Sequence, residues 1–263
     1  MKGSGLAYFL LTAPKRWRLR FADRVRGTAS GRALRAAYHA CSPVWRNRLT
    51  SSLTSAIQRR LYQTDPRSYW QREGGRRYLE DEAYLLGSGS VSELQGRFLA
   101  DEIRSLGATS VLEVGCGYGR LLREIRRNIK DGRVWGIDFS EPQLVAGRDY
   151  VAPSVIPLIL ADATQGLPLR DGSFDLVYTQ GSLMHVPPPL DATFCRELAR
   201  VSRRYIVHTE EFKNTVHTFA LDVERHYDSL GYRRAKATPY PLNPTGQNLT
   251  FQVFEKRGAG SGF

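Results

Sequence analysis

The chain has 263 residues, with 38 Lys or Arg against 26 Asp or Glu and a formal net charge of +12. This length is sufficient for one full hydrophobic core and an additional segment. The three cysteines, Cys41, Cys116 and Cys195, are odd in number and widely spaced. We therefore expect neither a disulfide framework nor a bound metal, and we expect a reducing compartment.

The positive charge is concentrated in the N-terminal third of the chain. Residues 1–80 contain 17 Lys or Arg against 4 Asp or Glu, whereas the remaining 183 residues contain 21 against 22. A segment of this kind is either simply solvated or binds an anionic membrane surface, an acidic protein or a nucleic acid, and charge alone does not distinguish these roles.

The first residues also bear on localisation. Residues 6–11 (LAYFLL) are far shorter than the roughly 20 apolar residues that span a bilayer. The start of the chain does not follow the full pattern of a secretory signal. We therefore expect a cytoplasmic protein, with peripheral attachment to a membrane surface left open.

Residues 1–88 are predicted to form a basic, partly helical extension. Leu49, Leu53, Ile57 and Leu61 recur every fourth residue among polar residues, which indicates an amphipathic helix. Its apolar stripe would dock on the following domain, on a membrane surface or on a second subunit.

The most informative segment is residues 111–122 (VLEVGCGYGRLL). A predicted helix precedes this segment, and a capping-box pattern at residues 90–93 marks the start of that helix. An apolar run, three alternating glycines and helical spacing predict a strand, a tight turn and a helix. Gly115, Gly117 and Gly119 would let the backbone approach a nucleotide-like cofactor closely. The arginines of this helix, at positions 120, 123, 126 and 127, are predicted to form a solvated face.

Three further strands end in polar or small residues. Residues 134–140 contain Asp138, roughly twenty positions past the glycines, where a carboxylate can bind ribose hydroxyls. Residues 155–160 lead to Asp162, and Pro157 indicates an edge strand. Residues 174–179 form the fourth strand. Open α/β sheets bind ligands at the carboxyl ends of their strands, so these residues are predicted to share one site.

The dinucleotide fingerprint is the rival interpretation of the glycines. It would require a glycine at position 120, where the chain has Arg120. We therefore expect neither a nicotinamide nor a flavin cofactor.

The C-terminal part continues the alternation of helices and strands. The patterns predict helices at residues 191–201 and about 216–230, a strand at 204–209, and two final strands at 232–238 and 249–254. Residues 257–263 are predicted to be a flexible tail.

Five ordered motifs carry a resemblance to a known family. They are residues 113–119 (EVGCGYG), 136–140 (GIDFS), 161–163 (ADA), 167–175 (LPLRDGSFD) and 182–186 (SLMHV). This set resembles the class I S-adenosylmethionine-dependent methyltransferases, especially the small-molecule type. The resemblance implies a Rossmann-like α/β domain at residues 89–256, with a seven-stranded, mostly parallel sheet and a C-terminal antiparallel hairpin.

The resemblance also implies S-adenosyl-L-methionine as the cofactor. The glycine loop would cradle the methionine part, Asp138 would hold the ribose and Asp162 the adenine amino group. The implied cofactor-binding residues are Glu113, Gly115, Cys116, Gly117, Gly119, Asp138, Phe139, Asp162, Ala163, and Thr179 or Gln180, the last two lining the methionine side.

Methyl transfer mainly requires alignment of the reactants and exclusion of water. His185, shortly after the fourth strand, could act as a general base or could simply pack or cap. Glu210, at the end of the fifth strand, could bind a cationic or hydroxylated acceptor or lie on a solvated approach. The aromatic residues Tyr69, Trp70 and Tyr78 could form a lid over the acceptor or pack at the junction.

We therefore predict an S-adenosylmethionine-dependent methyltransferase that acts on oxygen or nitrogen of a small-molecule, lipid-linked or glycan-type acceptor. Nucleic-acid methylation is the first alternative and is supported by the basic N-terminal segment. Against it, residues 179–182 (TQGS) lack the Pro-Pro-aromatic motif of enzymes that methylate amino groups of bases. A noncatalytic cofactor-binding partner subunit is the second alternative.

Overall fold

A computed structural model of the chain describes residues 65–73, 79, 86, 89–215, 218–242 and 249–258. The chain divides into two compact units, Met1–Thr64 and Asp65–Phe263. The predicted amphipathic helix, the short apolar stretch, and Tyr78 of the predicted lid lie outside the described residues. The same holds for all but the first two residues of the predicted tail. Within the described residues, no helix has the length and apolar character needed to cross a bilayer.

The second unit is built on one seven-stranded sheet. Its strands are β1 (Ser110–Val114), β2 (Arg133–Asp138), β3 (Leu158–Leu160), β4 (Phe174–Gln180), β5 (Ser202–Glu210), β6 (Tyr232–Pro239) and β7 (Thr250–Lys256). The strand order is β3-β2-β1-β4-β5-β7-β6, and β7 pairs antiparallel with both β5 and β6. This arrangement confirms the predicted mostly parallel sheet with an antiparallel C-terminal hairpin.

The strand order also locates a ligand crevice. From β1 the chain extends to β2 and β3 on one side, and it then returns to build β4 and β5 on the other side. The order therefore reverses between β1 and β4. In open parallel sheets such a reversal leaves a crevice above the carboxyl ends of the strands.

Helices cover both faces of the sheet. Those within the described residues are α1 (Pro66–Glu73), α2 (Val91–Ser105), α3 (Arg120–Asn128), α4 (Glu141–Val151), α5 (Leu190–Val201) and α6 (Val223–Ser229). The predicted capping box begins α2, because Ser90 Oγ accepts from the Glu93 amide and Glu93 Oε2 accepts from the Gly89 amide.

Two hydrophobic cores lie on opposite faces of the sheet. Val111 of β1 and Tyr178 of β4 belong to the core packed under α2 and α3, whereas their neighbours Leu112 and Val177 belong to the core under α5 and α6. This alternation follows from the two-residue period of a strand, and burial on both faces explains the nearly continuous apolar strands.

Two elements begin clearly later than the sequence predicts. β3 begins at Leu158 instead of Val155, because Val155 has a φ of 50° and is 86% exposed. The predicted edge position of β3 is confirmed. The helix predicted from about residue 216 begins only at Val223, since Asp222 caps it by accepting from the Arg225 amide at 3.1 Å.

The prediction of a solvated arginine face on α3 is wrong for Arg120. Its guanidinium turns towards α2 and donates to Ser92 Oγ and Gln95 Oε1, both at 2.8 Å. Position 120 is the first residue of α3, next to the glycine loop, so its side chain can reach the start of α2. Arg120 therefore ties the start of α3 to α2.

Candidate active site

The glycine loop between β1 and α3 forms the floor of the crevice. Gly115 has a φ of 78° and Gly119 a φ of 83°. A Cβ on Gly115 would lie 2.3 Å from the Cβ of Ser182, and one on Gly119 would lie 2.5 Å from Val151 Cγ1. Both positions therefore require glycine for conformation and for space.

Hydrogen bonds hold this loop against β2. The amides of Gly115 and Cys116 both donate to the carbonyl of Ile137, at 2.8 and 3.0 Å. The side chain of Cys116 is buried in the core, and burial raises the pKa of its thiol. Only the backbone of Cys116 is therefore suited to contact a ligand.

Asp138 joins the end of β2 to the glycine loop. Its Oδ2 accepts from the Gly117 amide and its Oδ1 from the Ser140 amide, both at 2.8 Å. The side chain is 7% exposed, and burial raises the pKa of this carboxyl to about 6. A carboxylate has about four lone-pair sites, so the described hydrogen bonds leave capacity to accept from a ribose hydroxyl.

Glu113 lies at the end of β1 and is almost fully buried. Its Oε1 accepts from the hydroxyl of Tyr178 at 3.0 Å, while Oε2 has no hydrogen-bond partner among the described residues. Burial raises the pKa of this carboxyl to about 8, so it is mostly protonated at neutral pH. A buried polar atom without a partner is costly, which fits a place where a polar ligand group supplies the missing contact.

Asp162 and Phe139 lie at the carboxyl ends of β3 and β2. Asp162 Oδ1 accepts from both the amide and the hydroxyl of Thr164, at 2.9 and 2.7 Å. Its Oδ2 lies 2.9 Å from Nη1 of Arg67, whose guanidinium also lies over the ring of Phe139. Ala163 is buried beneath this end of the sheet. A carboxylate beside an aromatic ring suits a purine base.

Thr179 and Glu210 belong to an internal network instead of the crevice. Both are fully buried, and Thr179 Oγ1 donates to Glu210 Oε1 at 2.7 Å. Glu210 also accepts from the amides of Ser182, Leu183 and Met184 at 3.1–3.2 Å. Glu210 therefore fixes the turn after β4, a position that does not suit the predicted contact with an acceptor.

His208 completes this network. Its Nδ1 lies 2.7 Å from Thr179 Oγ1 and its Nε2 lies 2.8 Å from the hydroxyl of Tyr227. Burial lowers the pKa of His208 to about 3, so the ring is neutral. Gln180 follows Thr179 in β4, and its side chain points to the opposite face of the sheet. Its Oε1 is buried and has no hydrogen-bond partner among the described residues, so Gln180 suits a ligand better than Thr179 does.

His185 lies where the network meets the crevice. It ends the short 3₁₀ turn Leu183–His185, in which the amides of Leu183 and Met184 donate to Glu210, and it is partly exposed. The ring of Trp70, on α1, lies 5.0 Å from the His185 ring, centroid to centroid. The carbonyl of Trp70 accepts from Ser140 Oγ at 3.3 Å. Helix α1 therefore covers the ends of β2 and β4.

The structure brings most of the sequence-predicted site residues to one edge of the sheet. These residues lie in the last positions of β1 to β4 or just after them: the glycine loop, Glu113, Asp138, Phe139, Asp162, Gln180 and His185. Thr179 and Glu210 are directed into the interior. Sequence reasoning missed Arg67, since no local pattern links a residue of α1 to the end of β3. Within the described residues, no group of three or more His, Cys, Asp or Glu could hold a metal.

Comparison with known proteins agrees with this geometry. Residues 111–204 match a family described as a methyltransferase domain. The chain is 34% identical over 93 residues to 2-methyl-6-phytyl-1,4-hydroquinone methyltransferase of a Synechocystis strain, covering 35% of this chain and 28% of the relative. It is 36% identical over 92 residues to demethylmenaquinone methyltransferase of Roseiflexus castenholzii, covering 35% and 37%. The matched segment thus spans less than two fifths of the length of these relatives.

The same fold occurs in solved structures. Magnesium protoporphyrin IX methyltransferase of Synechocystis with bound S-adenosylhomocysteine is similar with a TM-score of 0.59 and 14% identity, over 74% of this chain and 99% of that chain. An S-adenosylmethionine-dependent methyltransferase of Clostridium acetobutylicum has a TM-score of 0.55 and 8% identity, over 68% and 98%. These likenesses show a Rossmann-like fold.

Proposed function

We propose that this chain, whose residues 111–204 match a methyltransferase domain, transfers a methyl group from S-adenosyl-L-methionine to oxygen or nitrogen of a small-molecule acceptor. The main support for the proposal is the hydrogen bond from the Gly117 amide to the Asp138 carboxylate, which joins the glycine loop to the end of β2 at the crevice. Unpartnered polar atoms of Glu113 and Gln180 supply further contacts at the same edge.

Different residues at this edge of the sheet would bind different parts of the cofactor. Asp138 would accept from the ribose hydroxyls, and Asp162 with Phe139 would hold the adenine. The glycine loop and Gln180 would hold the methionine part, with Glu113 behind it. Each assignment matches a donor or acceptor that the described contacts leave available, except at Asp162, whose Oδ2 is paired with Arg67.

The residues of the chain would only need to accept a proton, orient the reactants and exclude water. When bound, S-adenosyl-L-methionine would supply an electrophilic methyl group on a positively charged sulfur. His185 would accept the proton of an acceptor hydroxyl, a contribution of about 10²- to 10⁴-fold to the rate. Trp70 contacts the His185 ring and so would fix its orientation and exclude water.

A flat aromatic ring is the acceptor class that best fits Trp70 and His185. Two rings at 5.0 Å present an aromatic wall at the acceptor side, and aromatic rings prefer stacked or edge contacts with one another. The names of the relatives point to acceptors of this kind, hydroquinone, demethylmenaquinone and tocopherol. We therefore propose a phenolic or quinol-type ring.

The test is transfer of labelled methyl groups to a synthetic 1,4-hydroquinone, with RNA as a competing acceptor. The proposal predicts labelling of the hydroquinone that is lost in Asp138→Ala and strongly reduced in His185→Ala. Arg257→Gln serves as a control, since Arg257 pairs with exposed Asp228 away from the crevice. Labelling of RNA alone would contradict the proposed acceptor, and labelling of neither would contradict the activity on these classes.

The basic N-terminal segment carries a separate part of the proposal. We propose that it contacts an anionic membrane surface or an acidic partner, since an apolar quinol-type acceptor would reside in membranes. Its support is the concentration of Lys and Arg in residues 1–80. Sedimentation with anionic vesicles, lost on deletion of residues 1–64, is the expected result. The comparisons favour neither the nucleic-acid alternative nor a noncatalytic subunit.

A further inference from the structure

Helix α1 brings a cation to the part of the site where adenine is expected. Nη1 of Arg67 lies 2.9 Å from Asp162 Oδ2. The Cζ atom of the same guanidinium lies 5.7 Å from the centroid of the Phe139 ring. One flat, cationic group therefore contacts both the carboxylate and the aromatic face.

An adenine ring would need the same two contacts. Its amino group would donate to Asp162, and its face would lie against Phe139. Thr164 already occupies Asp162 Oδ1, so Oδ2 is the oxygen that could receive the amino group, and Arg67 holds it. A ring inserted between two flat groups needs about 7 Å, twice the usual contact distance, which is more than the separation of Arg67 and Phe139.

We propose that the Arg67 guanidinium and the adenine ring compete for one subsite, so that Arg67 must swing away when the cofactor binds and lowers its affinity. This inference rests on the proposed function. Arg67 is thereby a residue that sets cofactor affinity from outside the methyltransferase motifs.

The surroundings of Arg67 allow this movement. Its side chain is 52% exposed, so the guanidinium can turn into solvent, whereas Asp162 is 14% exposed and would keep a hydrogen-bond donor only if the adenine amino group takes the place of Arg67. The rest of α1 is held separately, by Ser140 to the carbonyl of Trp70 and by the Trp70 ring against His185. The helix can therefore stay in place over the acceptor side while the arginine leaves the adenine side.

The test is calorimetry of S-adenosylhomocysteine binding to the full chain and to Arg67→Gln. Loss of the ion pair and of the contact with Phe139 is expected to tighten binding about three- to tenfold. Arg257→Gln is the matched control, because Arg257 is 53% exposed and pairs with Asp228. Its affinity should equal that of the unaltered chain.

Salt provides a second readout. Raising the salt from about 0.05 M to about 0.3 M screens an exposed ion pair, so it should tighten binding to the unaltered chain and leave Arg67→Gln unchanged. Equal or weaker binding to Arg67→Gln would overturn the competition while the proposed function stands. Absence of binding to all three proteins would overturn both.

Discussion

Cofactor affinity should fall when the pH drops below about 6, because Asp138 must be ionised to accept hydrogen bonds from two ribose hydroxyls. Burial raises the pKa of this carboxyl to about 6 from an ordinary value near 3.8. In the protein without cofactor, the raised pKa of Asp138 therefore stabilises the folded state below about pH 3.8, and this stabilisation is lost as the pH rises through 6. Hydrogen bonds from ribose act in the opposite direction, since they favour the ionised form.

The magnitude follows from the pKa. At pH 5 about one Asp138 side chain in ten is ionised, whereas nearly all are ionised at pH 7.5. If only the ionised form binds the ribose, affinity should fall about tenfold between these two pH values, and binding at pH 5 should release a proton.

The assay is calorimetry of S-adenosylhomocysteine at several pH values, in buffers with different ionisation enthalpies. Asp138→Asn should bind more weakly at pH 7.5 and show little dependence on pH, whereas His185→Ala should keep the full dependence. An affinity that is flat from pH 5 to 7.5, or an unchanged slope in Asp138→Asn, would refute the assigned role of Asp138.

Three further substitutions separate structural from catalytic roles. Glu210→Ala leaves three amides without their acceptor and removes the Thr179–Glu210 hydrogen bond, so it should lower the free energy of unfolding by roughly 2–5 kcal/mol, measured by urea denaturation. A normal urea midpoint with lost activity would instead restore a catalytic role for Glu210. His185→Ala should reduce turnover about 10²-fold or more while S-adenosylhomocysteine affinity is unchanged, and full activity would make His185 a packing residue. Because the pKa of Glu113 is raised to about 8, its stabilising contribution is present below about pH 4.5 and lost as the pH rises through 8. The melting temperature of Glu113→Gln minus that of the unaltered chain should therefore be larger at pH 9 than at pH 6. An equal difference at the two pH values would argue against a buried, protonated carboxyl.

The sheet and its edge could be predicted because their signals are local. Apolar runs that end in polar or small residues identify β1 to β4, and the residues that follow a parallel strand necessarily meet at one edge of the sheet. The predicted fold class is confirmed by the sheet order and by the solved structures, and residues 111–204 match a methyltransferase domain. The roles of the individual site residues stay predictions.

The contacts that the sequence did not reveal join distant segments. Glu210 ends a strand, which suggested a place at the crevice, but the turn at residues 182–184 folds back over its carboxylate. Which of Thr179 and Gln180 faces the ligand depends on the strand's alternation at its last two residues, and a sequence does not settle that alternation. Arg67 belongs to α1, so its pairing with Asp162 depends on how that helix crosses the sheet edge.

The measurement that tests the central claim most directly is calorimetry of the purified chain with S-adenosyl-L-methionine and S-adenosylhomocysteine, beside NADH as a control. The account predicts binding of both sulfur nucleotides in the micromolar range, lost in Asp138→Ala, with no binding of NADH. Binding of NADH alone, or of none of the three, would contradict the assignment of the glycine loop and Asp138 to this cofactor.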